Sequence, residues 1–338
     1  MATTTDIQLQ DIRASDVSLH VASIGEGPPV VFCHGFPGLW YSWRHQLPAL
    51  AAAGWRAIAL DQRGYGRSDR PLDPARYDAN YVMADLLAVL DALGEEKAVF
   101  VGHDFGAQQV CNLAVRHPDR VAGVVVMSCP YDYDLAGRHG QGKAATMRPT
   151  DAFAAIAQEH FLHLHYFQKV GPAERELGPR AKEFLQRLFW ALSGEGDYAD
   201  YSNHPSEGAG YLEVLRPAPP LPWSWMSEAE FDHYVDEFTR CGPDAAFIGG
   251  LNSYRNADRN WTLGEPFAEA DITQPALFIS GAKDIVLQMI APDALEVMAR
   301  RAPDLRGVEL IEGAGHFVQM ERPDAVNDRL LTFLSGLR

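Results

Sequence analysis

The sequence predicts an α/β fold, with a mostly parallel eight-stranded sheet, helices on both of its faces, and an inserted helical cap. Two observations support this prediction. Between residues 42 and 127, apolar segments of strand length alternate with segments of helix length, an order typical of a parallel sheet with crossover helices. After Pro130 the alternation stops, and it resumes at residue 275. The interruption indicates a separate cap.

The N-terminal part of the chain supplies six of the predicted strands. Loose alternation of apolar and polar residues predicts two antiparallel strands, and compact apolar runs such as PVVFC predict buried ones. The strands are predicted over residues 7–12, 17–24, 29–33, 56–60, 98–101 and 121–127. The intervening helices are predicted over residues 42–53, 81–93 and 105–116.

Residues 131–262 differ in composition from the flanking segments. They are rich in His, Tyr, Trp, Gly and Pro, lack strong strand patterns, and contain several short helical segments. We therefore predict a helical cap (lid) domain over 131–262, inserted into a core formed by residues 1–130 and 263–338. The core then continues with strands over 275–281 and around 308–311, and with helices over 293–301 and 324–337. A cap above a sheet encloses a pocket.

Charge and composition restrict the possible partners. The formal net charge of −16 is spread along the 338 residues without a basic cluster, which disfavours nucleic acid and anionic substrates and favours a neutral substrate. Four cysteines without CxxC spacing are expected to be reduced and structural. The N-terminus has no signal-peptide pattern and no apolar run is long enough for a membrane span. We expect a cytoplasmic monomer or homodimer that does not bind membranes.

The string VGHDFGA resembles a nucleophile elbow, the sharp strand-to-helix turn that projects one side chain above a sheet. Its central residue is Asp104, and Gly102 and Gly106 leave room for the chain to pass close to itself. Serine is the usual central residue, so an aspartate changes the chemistry. Attack by a carboxylate on an acyl carbon would give an anhydride, whereas attack on an sp³ carbon gives an ordinary ester. Epoxides and alkyl halides are therefore the natural electrophiles. Taken alone, the string also fits an aspartate that only caps a helix.

Two further segments complete the predicted machinery. The loop HGFPG follows an apolar strand, so the backbone N–H of Phe36 can join that of Phe105 in an oxyanion hole. We expect His34 to fix this loop. The segment GAGHFVQM places His316 after the last predicted strand as a candidate base, and PALFISGAKD places Asp284 beyond a strand end as its orienting acid.

Together these residues resemble the epoxide hydrolases of the α/β-hydrolase superfamily. The similarity covers the chain from about Gly25 to the C-terminal helix, and it is carried in order by HGFPGLWYSWRHQLPAL, DQRGYGRSDRP, GHDFGA, YRNADRNW and GHFVQMERP. The resemblance implies an α/β-hydrolase fold and a covalent alkyl-enzyme ester on Asp104. Water activated by His316 and Asp284 would then release a vicinal diol. It implies no cofactor and no metal.

The resemblance also implies two acidic donors in the cap that bind the epoxide oxygen. Tyr254, in NSYRNADRNW, matches the second of the family's two tyrosines. The first lies three residues before the tyrosine of a YFQ segment, and His163 occupies that position here. A His/Tyr pair would serve, because a neutral imidazole retains one N–H donor, and Tyr166 is the alternative donor.

The substrate pocket is less specified by the sequence. We expect His34, Tyr166 and Trp190 at the pocket. The bulky cap residues can either line it or belong to the cap's core; they are Phe189, Trp190, Leu192, Trp223 and Trp225.

Two other functions remain open at this point. A haloalkane or haloacid dehalogenase shares the Asp/His/Asp machinery, but Phe105 offers no side-chain donor for a halide and FGAQQVCN contains no arginine for a carboxylate. A non-catalytic protein that only binds a small molecule is the second alternative, since a fold does not prove chemistry. The complete set of Asp104, Asp284 and His316 argues against it. A serine esterase is not favoured, because the elbow has no serine.

Overall fold

The structure is a computed structural model that describes residues 6–131, 147–196 and 206–338. A central sheet of eight strands runs through these residues, which confirms the predicted fold class. Its strands are β1 (Gln8–Arg13), β2 (Ser18–Ile24), β3 (Pro29–Cys33), β4 (Arg56–Leu60), β5 (Ala98–His103), β6 (Val121–Met127), β7 (Ala276–Gly281) and β8 (Leu305–Ile311).

The spatial order of the strands is β1-β2-β4-β3-β5-β6-β7-β8. The pairs β1/β2 and β2/β4 are antiparallel, and every later pair is parallel. The carboxyl ends therefore lie at one edge of the sheet for strands β3, β5, β6 and β7. Ligand sites of open α/β sheets lie outside these ends.

Three helices precede the end of β6 in the chain. They are α1 (Gln46–Ala52), α2 (Ala79–Leu93) and α3 (Phe105–Arg116). The sequence predicted one helix over 42–53, whereas the structure has a short 3₁₀ helix (Trp40–Trp43) before α1. The reason is Pro48, which lacks an N–H and is tolerated only in the first helical turn. A helix that begins at Gln46 satisfies this condition, and one that begins at Ser42 would not.

The described residues between β6 and β7 contain helices and no strand. These helices are α4 (Pro149–Ala157), α5 (His163–Tyr166), α6 (Pro172–Leu177), α7 (Ala181–Leu192), α8 (Tyr211–Val214), α9 (Glu228–Thr239), α10 (Ile248–Tyr254) and α11 (Ala257–Gly264). Because α11 continues to Gly264, the boundary predicted at residue 262 falls inside a helix.

Four helices follow β7 in the chain. They are α12 (Ile285–Met289), α13 (Ala294–Arg301), α14 (Val318–Glu321) and α15 (Pro323–Ser335). Further 3₁₀ helices span Pro74–Tyr77, Pro118–Arg120, Gly178–Arg180, Pro243–Ala245 and Glu265–Phe267. No described helix is both long enough and apolar enough to cross a membrane.

Three buried clusters hold these layers together. On one face of the sheet, α2, α3 and α13 pack on side chains such as Phe100 and Phe278. On the other face, α1 and α15 pack on side chains such as Phe32 and Ile279. A third, aromatic cluster lies among the helices between β6 and β7, and it reaches the sheet through Phe36 and Phe105. That contact places the helical segment directly above the carboxyl ends of the strands.

A buried ion pair connects the loop after β4 to α2. Arg63, with 1% of its side chain exposed, donates to both carboxylate oxygens of Asp85, over 2.6 and 2.7 Å. It also donates to Asp16 over 3.0 Å and to the backbone carbonyl of Arg76 over 2.6 Å. A bidentate guanidinium–carboxylate pair of this kind fixes orientation as well as charge.

We expect Arg63→Met to lower the free energy of unfolding by about 3–5 kcal/mol, because Asp85 then stays buried without its partner charge. Urea denaturation followed by circular dichroism measures the loss. Arg180→Met, which removes an exposed arginine paired with Glu183, should leave the midpoint nearly unchanged. The double variant Arg63→Met/Asp85→Leu should recover part of the stability. An unchanged urea midpoint in Arg63→Met would contradict a stabilising role for the pair of Arg63 and Asp85.

Candidate active site

Asp104 occupies the sharp turn between β5 and α3. Its backbone has φ 56° and ψ −118°, a conformation that costs a non-glycine residue about 1–3 kcal/mol. The turn also requires close backbone contacts. A Cβ at Gly102 would overlap the carbonyl of Gly106, and a Cβ at Gly106 would overlap the carbonyl of Cys33. The glycines of the motif are therefore needed for the turn that projects Asp104 above the sheet.

The HGFP loop after β3 reaches the Asp104 carboxylate. The backbone N–H of Phe36 donates to Asp104 Oδ1 over 2.8 Å, and the backbone N–H of Phe105 also donates to this carboxylate. A Cβ at Gly35 would overlap the same side chain. The two N–H groups predicted for the oxyanion hole thus both donate to the Asp104 carboxylate.

His316 lies between two carboxylates. Its Nδ1 is 3.2 Å from Asp284 Oδ1 and its Nε2 is 3.9 Å from Asp104 Oδ2. Asp284 caps α12 by accepting the backbone N–H of Val286 over 3.0 Å. The Asp284 side chain is fully buried and 3% of the His316 side chain is exposed. The imidazole is therefore held with one nitrogen on the buried acid and the other toward the elbow.

Two serine hydroxyls complete the surroundings of this pair. Ser128 Oγ lies 3.0 Å from His316 Nδ1, and Ser280 Oγ donates to Asp284 Oδ2 over 3.0 Å. Ser128 has a positive φ of 73° and is fully buried. The sequence analysis missed both serines. Their position at the carboxyl ends of β6 and β7, the strands next to the elbow, is the signal that could have identified them.

Burial and neighbouring charges set the pKa values of the three groups. Burial raises the pKa of Asp104 above its usual value. Burial alone would raise the pKa of Asp284, but His316 and the hydrogen bonds to the carboxylate lower it to about 2. Burial alone would lower the pKa of His316, but Asp284 and Asp104 hold it above the usual value. Asp284 is thus a permanent anion that stabilises a protonated imidazole.

A cavity opens above Asp104. Within the described ranges, its lining consists of Phe36, Asp104, His163, Phe167, Leu188, Leu192, Tyr211, Tyr254, Ile285, Val286, Met289 and His316. Seven of these twelve residues are aliphatic or phenylalanine. The cavity is therefore an apolar chamber with its polar groups concentrated around the elbow.

His163 and Tyr254, the two predicted cap donors, both line this cavity. Their rings are 5.4 Å apart, and the Tyr254 ring lies 4.7 Å from Phe105. Burial lowers the pKa of His163 to about 3. His163 is therefore a neutral imidazole at physiological pH, able to donate one hydrogen bond but not to act as an imidazolium acid.

Three residues expected at the pocket are not among the described residues that line the cavity. His34 is turned into the loop, where its Nδ1–H donates to the carbonyl of Gly35 over 2.8 Å and its Nε2 accepts the N–H of Gln62 over 3.1 Å. Tyr166 turns away because its hydroxyl donates to Glu176. Trp190 packs against Trp223, with ring centroids 5.3 Å apart.

The bulky cap residues divide in the same way. Leu192 lines the cavity, whereas Phe189, Trp223 and Trp225 belong to the aromatic cluster of the cap. Tyr211, which the sequence analysis missed, lines the cavity and stacks on His163 with an interplanar angle of 11°. No local pattern distinguishes Tyr211 from other cap aromatics, so only the packing of α8 reveals it.

The described ranges contain no group of three or more His, Cys, Asp or Glu side chains arranged to hold a metal ion.

Comparisons with known proteins agree with this geometry. Residues 28–323 match a family model described as the alpha/beta hydrolase fold. Epoxide hydrolase A of Mycobacterium tuberculosis is 42% identical over 330 residues, covering 96% of this chain and 97% of that protein. Epoxide hydrolase 2 of Siraitia grosvenorii is 33% identical over 333 residues, covering 97% and 98%.

Solved structures give the same result. The crystal structure of Epoxide Hydrolase A from Mycobacterium thermoresistibile is 43% identical, with a TM-score of 0.87 over 98% of this chain and 99% of that one. An epoxide hydrolase from an endophytic Streptomyces is 40% identical, with a TM-score of 0.89 over 98% and 96%.

The charges around His316 predict its titration. We expect Asp284→Asn to lower the pKa of His316, because this change removes the carboxylate that opposes the effect of burial. NMR titration of the imidazole nitrogens measures the midpoint, which should lie above about 6.5 in the wild type. Asp293→Asn makes the same charge change at an exposed position and should leave the titration midpoint of His316 unchanged. Equal midpoints in Asp284→Asn and the wild type would refute the pairing.

Proposed function

This chain belongs to the epoxide hydrolases of the α/β-hydrolase fold, and on that premise we propose that it opens its substrate through a covalent ester on Asp104. The resemblance in the motifs is confirmed at full length, and the chain is a hydrolase that converts an epoxide to a vicinal diol. One observation carries the mechanism. A carboxylate at the elbow, a base paired with an acid, and two cap donors all face one cavity.

The substrate we propose is a small, neutral and hydrophobic epoxide. The apolar lining of the cavity supports this choice, because burial of aliphatic and aromatic surface is the main source of affinity in such a chamber. The net charge of −16 also disfavours an anionic substrate.

In the first step Asp104 Oδ2 attacks one epoxide carbon. The new C–O bond forms an ester, and the ring C–O bond breaks with its electron pair on the ring oxygen. Oδ1 accepts the N–H of Phe36, and Oδ2 is the oxygen that faces His316, so we assign the attack to Oδ2. Ionised Asp104 is required, and its raised pKa sets the lower pH limit of this step.

The ring oxygen needs a proton as its negative charge develops. We propose that His163 donates a hydrogen bond to this oxygen and that the Tyr254 phenol supplies the proton. We assign the proton transfer to Tyr254 because the pKa of His163 is lowered to about 3. The His163 imidazole is therefore neutral at neutral pH and does not act as an acid. A phenol titrates near pH 10 and is a better match to an alkoxide. Tyr254 then regains its proton from water.

In the second step His316 removes a proton from water, and the hydroxide attacks Cγ of the ester. The negative charge of the tetrahedral intermediate falls on Oδ1, where the N–H groups of Phe36 and Phe105 stabilise it. Collapse breaks the bond from Cγ to Oδ2, so that this oxygen leaves with the diol. The leaving alkoxide takes the proton from His316, whose imidazolium is stabilised by Asp284. The Asp104 carboxyl then releases its proton to water and is ionised again.

Dehalogenation, the alternative that the sequence left open, is not favoured by the comparisons. The side chain of Phe105 offers no halide donor, and its backbone N–H already serves the Asp104 carboxylate. An epoxide also needs donors for its ring oxygen, and His163 and Tyr254, which line the same cavity as Asp104, are the donors we propose.

Several broader features belong to the same proposal. We propose that the cap runs from residue 131 to at least Gly264 and that residues 1–130 and 265–338 form the core, which the helical character of the described cap residues supports. We also propose a cytoplasmic monomer or homodimer. The cytoplasmic location is supported by the four cysteines, which are all unpaired thiols.

The covalent intermediate provides the main test. We expect His316→Gln mixed with styrene oxide to gain the mass of one epoxide, because the ester forms while its hydrolysis is blocked. Intact-protein mass spectrometry detects the adduct, and a parallel assay should show diol formation by the wild type. The adduct should disappear in Asp104→Asn/His316→Gln. Absence of both adduct and turnover across several epoxides would reject the proposal, and halide release from haloalkanes would then be measured.

The roles of the cap donors give a second test. We expect His163→Phe to slow ester formation about 10- to 100-fold, because the developing alkoxide loses one hydrogen bond, while ester hydrolysis keeps its rate. Single-turnover quenched flow separates the two steps. Tyr166→Phe is the matched control, since the Tyr166 hydroxyl is directed to Glu176, and it should leave ester formation nearly unchanged. The assignment is reversed if Tyr166→Phe slows ester formation and His163→Phe does not.

A further inference from the structure

A buried carboxylate, Glu321, lies behind the His316 loop at the end of α14. With 4% of the residue exposed, it accepts hydrogen bonds from the backbone on both sides of His316. Oε2 accepts the N–H of Gly315 and Oε1 accepts the N–H of Phe317, each over 3.0 Å. The side chain thus holds the backbone both before and after His316.

A third hydrogen bond to Glu321 comes from the cap. The N–H of Gly194, just after α7, donates to Oε2 over 2.7 Å. In the same cap segment, the carbonyl of Leu192 accepts the N–H of His316 over 2.9 Å. Lys283 donates to the carbonyl of Gly194, also over 2.9 Å. The cap segment and the His316 loop therefore lie backbone against backbone, with Glu321 as their common acceptor.

Glycine is required on both sides of this contact. A Cβ at Gly194 would meet the carbonyl of Gly313 at 2.7 Å, and a Cβ at Gly315 would overlap the backbone N of Gly194. Real Cβ atoms do not approach other atoms so closely. The absence of side chains at these glycines brings the cap backbone within reach of Glu321.

The hydrogen bonds define the charge state that fits this site. Both oxygens of Glu321 face N–H donors, an arrangement that suits an ionised carboxylate and leaves no acceptor for an added proton. Burial raises the pKa of Glu321, while the N–H groups of Gly194, Gly315 and Phe317 oppose that rise. The position therefore provides a second buried negative charge on the core side of His316.

We propose that Glu321 is a positioning residue for the base His316, which fixes the loop to the cap and supplies negative charge for the hydrolysis of the ester. This inference rests on the two-step function proposed above. Glu321 does not line the substrate cavity, so its effect reaches the reaction only through His316.

The charges that face His316 explain why the hydrolysis step should depend on Glu321. Asp284, Asp104 and Glu321 all raise the pKa of His316. The other titratable neighbours are His103, with its ring 4.6 Å away, and His163 across the cavity; both have pKa values lowered to about 3 by burial and are neutral. Once Asp104 is esterified its charge is gone. Asp284 and Glu321 are then the carboxylates that favour proton uptake by His316.

The experiment measures both half-reactions of Glu321→Gln with styrene oxide, by single-turnover quenched flow and intact-protein mass spectrometry between about pH 5 and pH 9. Ester formation should keep its wild-type rate, and hydrolysis should slow about 10- to 100-fold, because a small displacement of the base is sufficient for such a loss. The pH at which hydrolysis is half-maximal should move down, since removing a negative charge lowers the pKa of His316.

Two further variants keep the test decisive. Glu312→Gln makes the same charge change at an exposed residue of the same loop and should match the wild type in rate and pH dependence. Glu321→Asp keeps the charge but shortens the side chain, so hydrolysis should slow without a shift in its pH dependence. If Glu321→Gln does not fold, as thermal unfolding would show, Glu321→Asp carries the test against Glu312→Gln.

The outcomes separate the inference from the function on which it rests. Equal slowing of both half-reactions, or hydrolysis at the Glu312→Gln rate in both Glu321 variants, overturns the positioning role while the wild-type ester stays intact. Absence of any ester in the His316→Gln variant instead overturns the two-step mechanism itself.

Discussion

The active site depends on one strained peptide unit, the positive φ of Asp104 at the end of β5. This conformation directs the carboxylate upward from the sheet and brings its oxygen to the backbone N–H of Phe36. The strained conformation of Asp104 is possible because Gly102 and Gly106 have no side chains, so that β3, β5 and α3 can approach one another at backbone distance. Every other catalytic group is arranged around the oxygen that this turn leaves exposed.

A second constraint is that the site concentrates negative charge in a buried volume. Asp104, Asp284 and Glu321 are all largely buried, and burial alone would raise the pKa of each. Backbone N–H groups offset this effect, because α3, α12 and the His316 loop direct their donors at the carboxylates. His316 lies among these anions and gains its basicity from them. Fixed dipoles of this kind act without rearranging during the reaction.

Local sequence patterns were sufficient for most of the fold and for the elbow, because both depend on short-range rules. The eight strands follow from apolar periodicity, and Asp104 follows from a glycine pattern with a steric reason. The pocket could not be derived in this way. Tyr166 and His163 are three residues apart on α5, yet one donates to Glu176 and the other faces the cavity. Which of them faces Asp104 depends on how α5, α6 and α8 pack, and that is a long-range property.

The two half-reactions draw on different parts of the chain, and their separation explains the contact between Gly194 and Glu321. In the mechanism proposed above, His163 and Tyr254, from the helical segment between β6 and β7, act on the departing ring oxygen, whereas His316 and Asp284, which follow β8 and β7, act on the ester. If the cap shifted relative to the core, the cap donors would no longer reach the ring oxygen of a substrate bound at Asp104. The hydrogen bonds from His316 to Leu192 and from Gly194 to Glu321 prevent that shift at the loop that carries the base. We infer that attachment at this point keeps both sets of groups aligned on Asp104 during the proposed cycle.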